Sequence, residues 1–276
     1  MGWHGRLQLD YHRDGDTTQA HDRHEGPLRV LQRLYPEGPG ICHHVLVHPP
    51  GGMVGGDTLD ITLTLAERSR AVITSPGAAR FYRSQGEPAV QQVRATLAAG
   101  ARLEWLPLET LAYSGCDGEN RMRFELAGGA EMIGWDILAL GLPAAEQPFV
   151  RGRYRQHIEL PGRWLERALI AAADATLLDS PLGTAGRRVM GTLWFAAGAP
   201  LPAARRDLLL EAARDVASGH DLAPTAGATA PSDAVVLLRA LAPRVEPLMQ
   251  LFRAVRHRWR AQAWDLEAVS PRIWTT

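Results

Sequence analysis

Lysine is absent from this chain of 276 residues: all 30 basic side chains are arginine. That absence excludes a GxxxxGK[ST] phosphate loop and a Lys Schiff base, so neither a P-loop NTPase nor an ordinary PLP enzyme fits. Cysteine is nearly absent too. Two residues cannot supply a four-thiolate zinc site or a disulfide framework, and two thiols in a chain this long fit a reducing cytosol. Charge of one sign is not in excess. Thirty acidic residues balance the arginines, and a formal net charge of zero gives no global field to attract nucleic acid or an anionic membrane. No apolar run approaches the roughly 18 residues that a bilayer span needs. The first nine residues lack the apolar stretch of a secretory signal. The expectation is a cytoplasmic globular protein whose 46% hydrophobic content builds a sizeable core.

What is present has a β rhythm. Leu59, Ile61, Leu63 and Leu65 share one parity, while Thr58, Asp60, Thr62 and Thr64 share the other, which predicts a half-buried strand. Ile41–Val47 and Val93–Leu97 show the same pattern more weakly. A repeat runs through this part. Thr64-Leu65-Ala66, a turn and Arg70-Ala71-Val72-Ile73 recur as Thr96-Leu97-Ala98, a turn and Arg102-Leu103-Glu104-Trp105. They recur again as Leu126-Ala127, a turn and Glu131-Met132-Ile133. Strand, tight turn and strand at spacings of 32 and 29 residues suggest stacked β units, although any antiparallel sheet makes hairpins at such intervals. Towards the end, Leu201–Val216 and Arg244–Arg260 read as helices, His220–Ser232 as a loop and Ala234–Leu238 as a strand. No strong linker divides the chain. One domain over 1–276 is expected, mainly β (a stacked, β-helix-like sheet fold) from 1 to 195, with about two helices between 200 and 276.

Candidate chemistry is scattered. The run His48-Pro49-Pro50-Gly51-Gly52-Met53-Val54-Gly55-Gly56-Asp57 forces irregular backbone between strands. Strand parity puts Asp57 on the core side, as a paired carboxylate, a channel-lining acid or a cap on the preceding turn. Cys42, His44 and His48 share a strand face, with Cys42 and His44 about 6.7 Å apart and His48 roughly 13 Å further on. One pair among them is a candidate for a borderline metal such as Ni²⁺ or Zn²⁺, and with Asp57 they would make the site of a metal-dependent hydrolase. His4, His12, His21 and His24 crowd the start with irregular spacing, which favours solvated side chains over a metal-collecting segment. Thr74-Ser75-Pro76-Gly77-Ala78-Ala79-Arg80-Phe81-Tyr82-Arg83-Ser84 carries hydroxyls before a Pro-Gly turn. No His–acid pair supports a nucleophile there, and no G-x-S-x-G elbow exists. The predicted last helix carries Arg253, Arg256, Arg258 and Arg260 away from its apolar stripe. They are either a solvated face or, for Arg253, Arg256 and Arg260, a docking surface for an acidic partner.

Taken in order, several segments resemble the urease accessory protein UreD (UreH) family: Gly26-Pro27-Leu28 with Leu34-Tyr35-Pro36-Glu37, HPPGGMVGGD at 48–57, TSPGAARFYRS at 74–84, LEWLP at 103–107, Gly134-Trp135-Asp136 and Pro271-Arg272-Ile273-Trp274. The resemblance spans residues 26–274. It implies a non-catalytic chaperone that binds apo-urease and assists delivery of Ni²⁺, working with UreF and the GTPase UreG while UreE brings the metal. It implies a layered β fold with an internal polar tunnel, no tightly bound cofactor and only transient Ni²⁺. Through it, Asp57, Thr74, Ser75, Asp136 and Glu146 become candidates for lining the nickel path. Oxygen donors hold Ni²⁺ less tightly than thiolates or several imidazoles would. Three departures from the family pattern stand out. Arg80 replaces a usual Lys and Leu108 a common Gln. Glu146 lies one residue from the family Glu, whose place Gln147 takes.

Overall fold

The computed structural model describes residues 2–275. The strands are β1 (His4–Asp14), β2 (Thr17–Glu25), β3 (Arg29–Val30), β4 (Cys42–Val47), β5 (Thr58–Leu65), β6 (Arg70–Thr74), β7 (Ala79–Phe81), β8 (Ala89–Leu97) and β9 (Arg102–Leu106). They continue with β10 (Thr110–Ala112), β11 (Asp117–Leu126), β12 (Glu131–Leu140), β13 (Arg153–Leu160), β14 (Trp164–Ala171), β15 (Val189–Ala197), β16 (Ala226–Ser232) and β17 (Val235–Ala242). Helix α1 (Ala175–Asp179) is a single short turn; α2 (Ala203–Ser218) and α3 (Val245–Trp264) are long.

The repeat is the winding of a β-solenoid. Each unit puts its first strand in one sheet, turns tightly and puts its second strand in another. The units then stack in parallel, so Leu65 pairs with Leu97 and Leu97 with Leu126. In the second sheet Arg70 pairs with Arg102 and Arg102 with Glu131. The sequence offsets of 32 and 29 residues are thus the lengths of two coils. The first sheet has the order β14-β13-β11-β8-β5-β1-β2; the second runs β16-β17-β15-β12-β9-β6-β4-β3, with β10 also paired to β12 and β7 to β10.

Strand parity then distributes the side chains into three layers. Leu59, Ile61, Leu63 and Leu65 enter the core between the sheets with Trp105, Phe124 and Trp194. Strand β12 lies inside the molecule and is buried at all ten positions. Its Met132, Leu138 and Leu140 face the first sheet, while Ile133, Trp135, Ile137 and Ala139 face the helices. Such a strand is apolar on both faces, so period two is hidden in it. Gly134 has a packing reason: a Cβ there would lie 2.4 Å from the Trp194 ring.

The predicted helices hold to within a few residues. Pro202 precedes α2, Gly219 follows it, and Leu209, Ala212, Ala213 and Ala217 make its buried side. Helix α3 buries Leu248, Phe252, Val255 and Trp259 as its stripe predicts and continues to Trp264, where Asp265 turns left-handed. The strand expected at Ala234–Leu238 is realised from Val235 as the first half of β17. His220–Ser232 is only partly a loop, because Ala226–Ser232 forms edge strand β16 on β17. Alanine and glycine there offer no propensity signal, and pairing to an apolar neighbour decides the conformation.

The basic face assigned to α3 needs correction. Arg256 and Arg260 are fully buried. They follow Leu248 and Phe252 at spacings of four, so they extend the buried row rather than oppose it. Both donate to Glu104 on β9, and Arg260 also donates to Glu37. Arg253 stacks over Trp274, 4.6 Å from the ring centroid. Arg256 and Arg260 are therefore not available as a docking surface.

Candidate functional site

Two of the irregular motifs meet on one cavity. The 48–57 turn is joined to β7, the strand that follows the 75–78 turn, by backbone hydrogen bonds, Met53 N to Arg80 O at 2.7 Å and Tyr82 N to Met53 O at 2.8 Å. Glycine is needed at Gly52, because a Cβ would fall 2.3 Å from the Tyr82 ring. Between them opens a cavity of about 270 Å³ whose lining includes His48, Ser75, Arg80, Asn120 and Asp136. A second cavity, of about 370 Å³, is lined by Gln156, Glu166, Thr192, Arg239 and, again, Asp136. Asp136 is thus common to both.

Asp136 gets there by parity. On β12 it shares the inter-sheet side with Leu138 and Leu140. Facing it, the first sheet carries amides in register, since Gln91 pairs with Asn120 and Asn120 with Gln156 on neighbouring strands. Asn120 donates to Asp136 Oδ1 at 3.1 Å and Gln156 donates to Oδ2 at 2.6 Å; Gln91 donates to Asn120 Oδ1 at 3.3 Å. Next to Asp136 across the second sheet is Thr192, whose hydroxyl donates to Glu166 at 3.2 Å, and Glu166 also accepts from Arg239. A line of amide, hydroxyl and carboxylate groups thus crosses an otherwise apolar core. Burial pushes the Asp136 carboxyl up to about 6; the Gln156 hydrogen bond opposes the shift and the charge of Glu166 adds to it. No cation pairs with Asp136 among the described residues. Gln156 Oε1 and Trp105 Nε1 are buried without a protein partner. Polar atoms left in this way belong where water or a hydrated ion can reach.

Of the other residues expected to line such a path, Ser75 lines the first cavity, its Oγ donating to Gly77 O at 3.0 Å and accepting from Leu108 N at 2.9 Å. Thr74 is buried and points towards the helices, donating to Leu106 O and accepting from Trp274 Nε1. Asp57 is the turn cap: its carboxylate accepts from Val54 N and Trp3 N, each at 2.8 Å, and it lines neither cavity. Glu146 is exposed in a left-handed conformation after a short 3-10 turn, and Gln147 is exposed as well. Neither reaches the seam. Arg80 donates to Gly51 O at the cavity mouth.

The hydrolase set does not assemble. His44 Nδ1 is engaged by the Tyr11 hydroxyl at 2.7 Å, while burial lowers its pKa to about 4 and raises that of Cys42 to about 11. His48 lies apart, on the first cavity. Among the described residues no three His, Cys, Asp or Glu side chains converge to hold a metal ion. His12 and His21 stack face to face on the outside of β1 and β2, and His4 bonds Asp60.

Asn120, Gln156, Glu166 and Thr192 went unrecognised in the sequence. The signal existed for two of them. Asn120 stands among Gly118, Met122 and Phe124, and Gln156 between Tyr154 and Ile158, so each is a polar residue on the apolar parity of its strand.

Fold and site together define a β-solenoid protein with a helical cover and a polar seam between its two sheets. A sequence profile described as UreD urease accessory protein matches residues 4–275. The curated urease accessory protein UreD of Leptothrix cholodnii is 64% identical over all of both chains, and those of Variovorax paradoxus and Polaromonas naphthalenivorans are 59% and 58% identical, also over the full length of each. The chain belongs to the UreD urease accessory protein family, which implies a role in urease maturation. Among the described residues no helix is long and apolar enough to cross a membrane.

Proposed function

We propose that this protein is a non-catalytic, cytoplasmic maturation scaffold that binds apo-urease together with UreF and UreG and lets Ni²⁺ pass along the seam between its sheets. The carrying observation is Asp136, one buried carboxylate without a cationic partner that borders both cavities. An ion entering from the first cavity would meet Ser75 and Asn120, then Asp136, then the Thr192–Glu166 pair. Nickel here is cargo. Oxygen and amide donors hold it weakly, and the two Asp136 hydrogen bonds come from neutral amides that can turn aside. The lysine-free chain leaves the nucleotide-dependent step to a GTPase partner.

The test is activation of urease in cells whose only copy of this protein carries Asp136→Ala, with Glu166→Gln beside it. The expected result is urease of normal abundance with much reduced nickel content, while the variant still co-purifies with UreF. Full nickel loading with Asp136→Ala would overturn the passage reading.

A further inference from the structure

The arginines that open the second strand of the first two repeats have no role in the seam. Arg70 and Arg102 are direct partners on parallel strands β6 and β9, about 4.8 Å apart in backbone. In the third coil the same rung holds Glu131, but that carboxylate is already forked by Arg205 and bonded by Trp264 Nε1. The rung therefore ends in two guanidiniums that no carboxylate pairs among the described residues. Arg102 lies over the Trp264 ring at 5.4 Å, which steadies its plane. Arg13, from the β1–β2 hairpin, approaches from the side, held by the Gly15 and Gly40 carbonyls.

These groups line a concave basin of about 700 Å³ on the tight-turn side of the solenoid, away from the two cavities of the seam. Arg68 at the tip of a turn and His12 complete the basic side of its lining. The acids of its lining are Asp16, fully exposed and 3.4 Å from Arg13, and Glu67, which is also exposed; behind them Glu131, already engaged by Arg205, also attracts Arg102 without pairing with it. Four arginines thus share a lining with two solvated acids, and the one buried acid nearby, Glu131, is forked by Arg205. Burial, and Arg13 close by, hold the Arg70 guanidinium below its ordinary pKa, and burial together with Arg70 does the same to Arg102. The cluster is held together against its own repulsion.

We propose that this basin is an anion site for a phosphate group, with Arg70 and Arg102 as the two forks and Arg13 as the third donor. A monoanionic carboxylate is satisfied by one guanidinium fork. Adjacent forks at strand spacing, with a third from the side, match a tetrahedral dianion presenting several oxygens. The group can arrive as free phosphate or on a nucleotide.

The experiment is calorimetric titration of the full-length protein, in buffer free of phosphate and at constant ionic strength, with inorganic phosphate and with ADP. Saturable binding of both identifies a site for the bare group, and binding of ADP alone identifies a carried one; either supports the site. Arg70→Gln and Arg102→Gln should each weaken binding by at least about tenfold. Arg94→Gln, on the outer face of the first sheet beside Asp60, should leave it unchanged. Without phosphate, Arg70→Gln should melt at or above the parent temperature, since it relieves repulsion, and it should lose the rise that phosphate gives the parent. No saturable heat with either ligand, or the same response to added chloride, would overturn the proposal. So would Arg70→Gln melting below the parent whether or not phosphate is present.

Discussion

Arg260 on α3 and Glu104 on β9 stand 156 residues apart in sequence, yet they form an ion pair with 0% and 4% of their side chains exposed. The same carboxylate also takes the Arg256 guanidinium, and Arg260 reaches on to Glu37, which in turn bonds His43. The C-terminal helix is thereby locked to the second sheet and to the loop before β4 through one buried network.

Breaking that network from one side should be costly. Glu104→Ala leaves two guanidiniums in a dry interface with too few acceptors, and a loss of about 3–5 kcal/mol is expected in urea unfolding. Replacing Glu104, Arg256 and Arg260 together with apolar residues of similar volume should recover much of it. A Glu104→Ala variant as stable as the parent would remove the network from the account of the fold.

Asp136 should make stability fall with rising pH across a window set by its shift. An acid whose folded pKa is raised binds its proton more tightly in the folded state. Its contribution is most favourable below the ordinary value of 3.8, declines as pH rises to about 6, and above that leaves a cost of about 3 kcal/mol. Asp136→Asn should flatten this decline and raise the melting temperature at neutral pH. Gln156 can turn its amide so that its unpartnered Oε1 accepts from the new side chain. Parallel pH profiles for parent and variant would refute the assignment. A variant that is more stable yet fails to activate urease would separate the seam's function from the fold.

Removing the Asp57 carboxylate should destabilise the fold. That carboxylate satisfies two backbone N–H groups that have no other acceptor, so Asp57→Ala should cost about 2 kcal/mol, visible as a lower melting temperature. Asp57→Asn, which keeps one acceptor, should fall between. Melting of Asp57→Ala at the parent temperature would show that the turn holds without its cap.

Much of the architecture was legible because it is local or periodic. The offsets of 32 and 29 residues are the register of stacked strands, and period two in Leu59–Leu65 names the core face. Strand β12 was harder to read, since a strand buried on both sides loses its alternation. The β16 edge was missed because Ala-Gly-Ala-Thr takes its conformation from β17. The site was legible only in part. Asp136 and Ser75 came from motif resemblance and do border the cavities, but Asp57 and Thr74 are engaged elsewhere and Glu146 is exposed.

By itself the sequence determined the coil length, the two long helices and the exclusion of a lysine-dependent phosphate loop, all consequences of composition and short-range spacing. Only the tertiary structure decided which polar residues share a space. Asn120, Asp136, Gln156, Thr192 and Glu166 lie on five different strands, and stacking in register brings them to one level between the sheets. The same holds for Arg256 and Arg260, which look like a charged surface until the partner acids, more than 150 residues earlier, close over them. A charge can be buried only where its counter-charge is buried with it, and that pairing is a property of the folded chain.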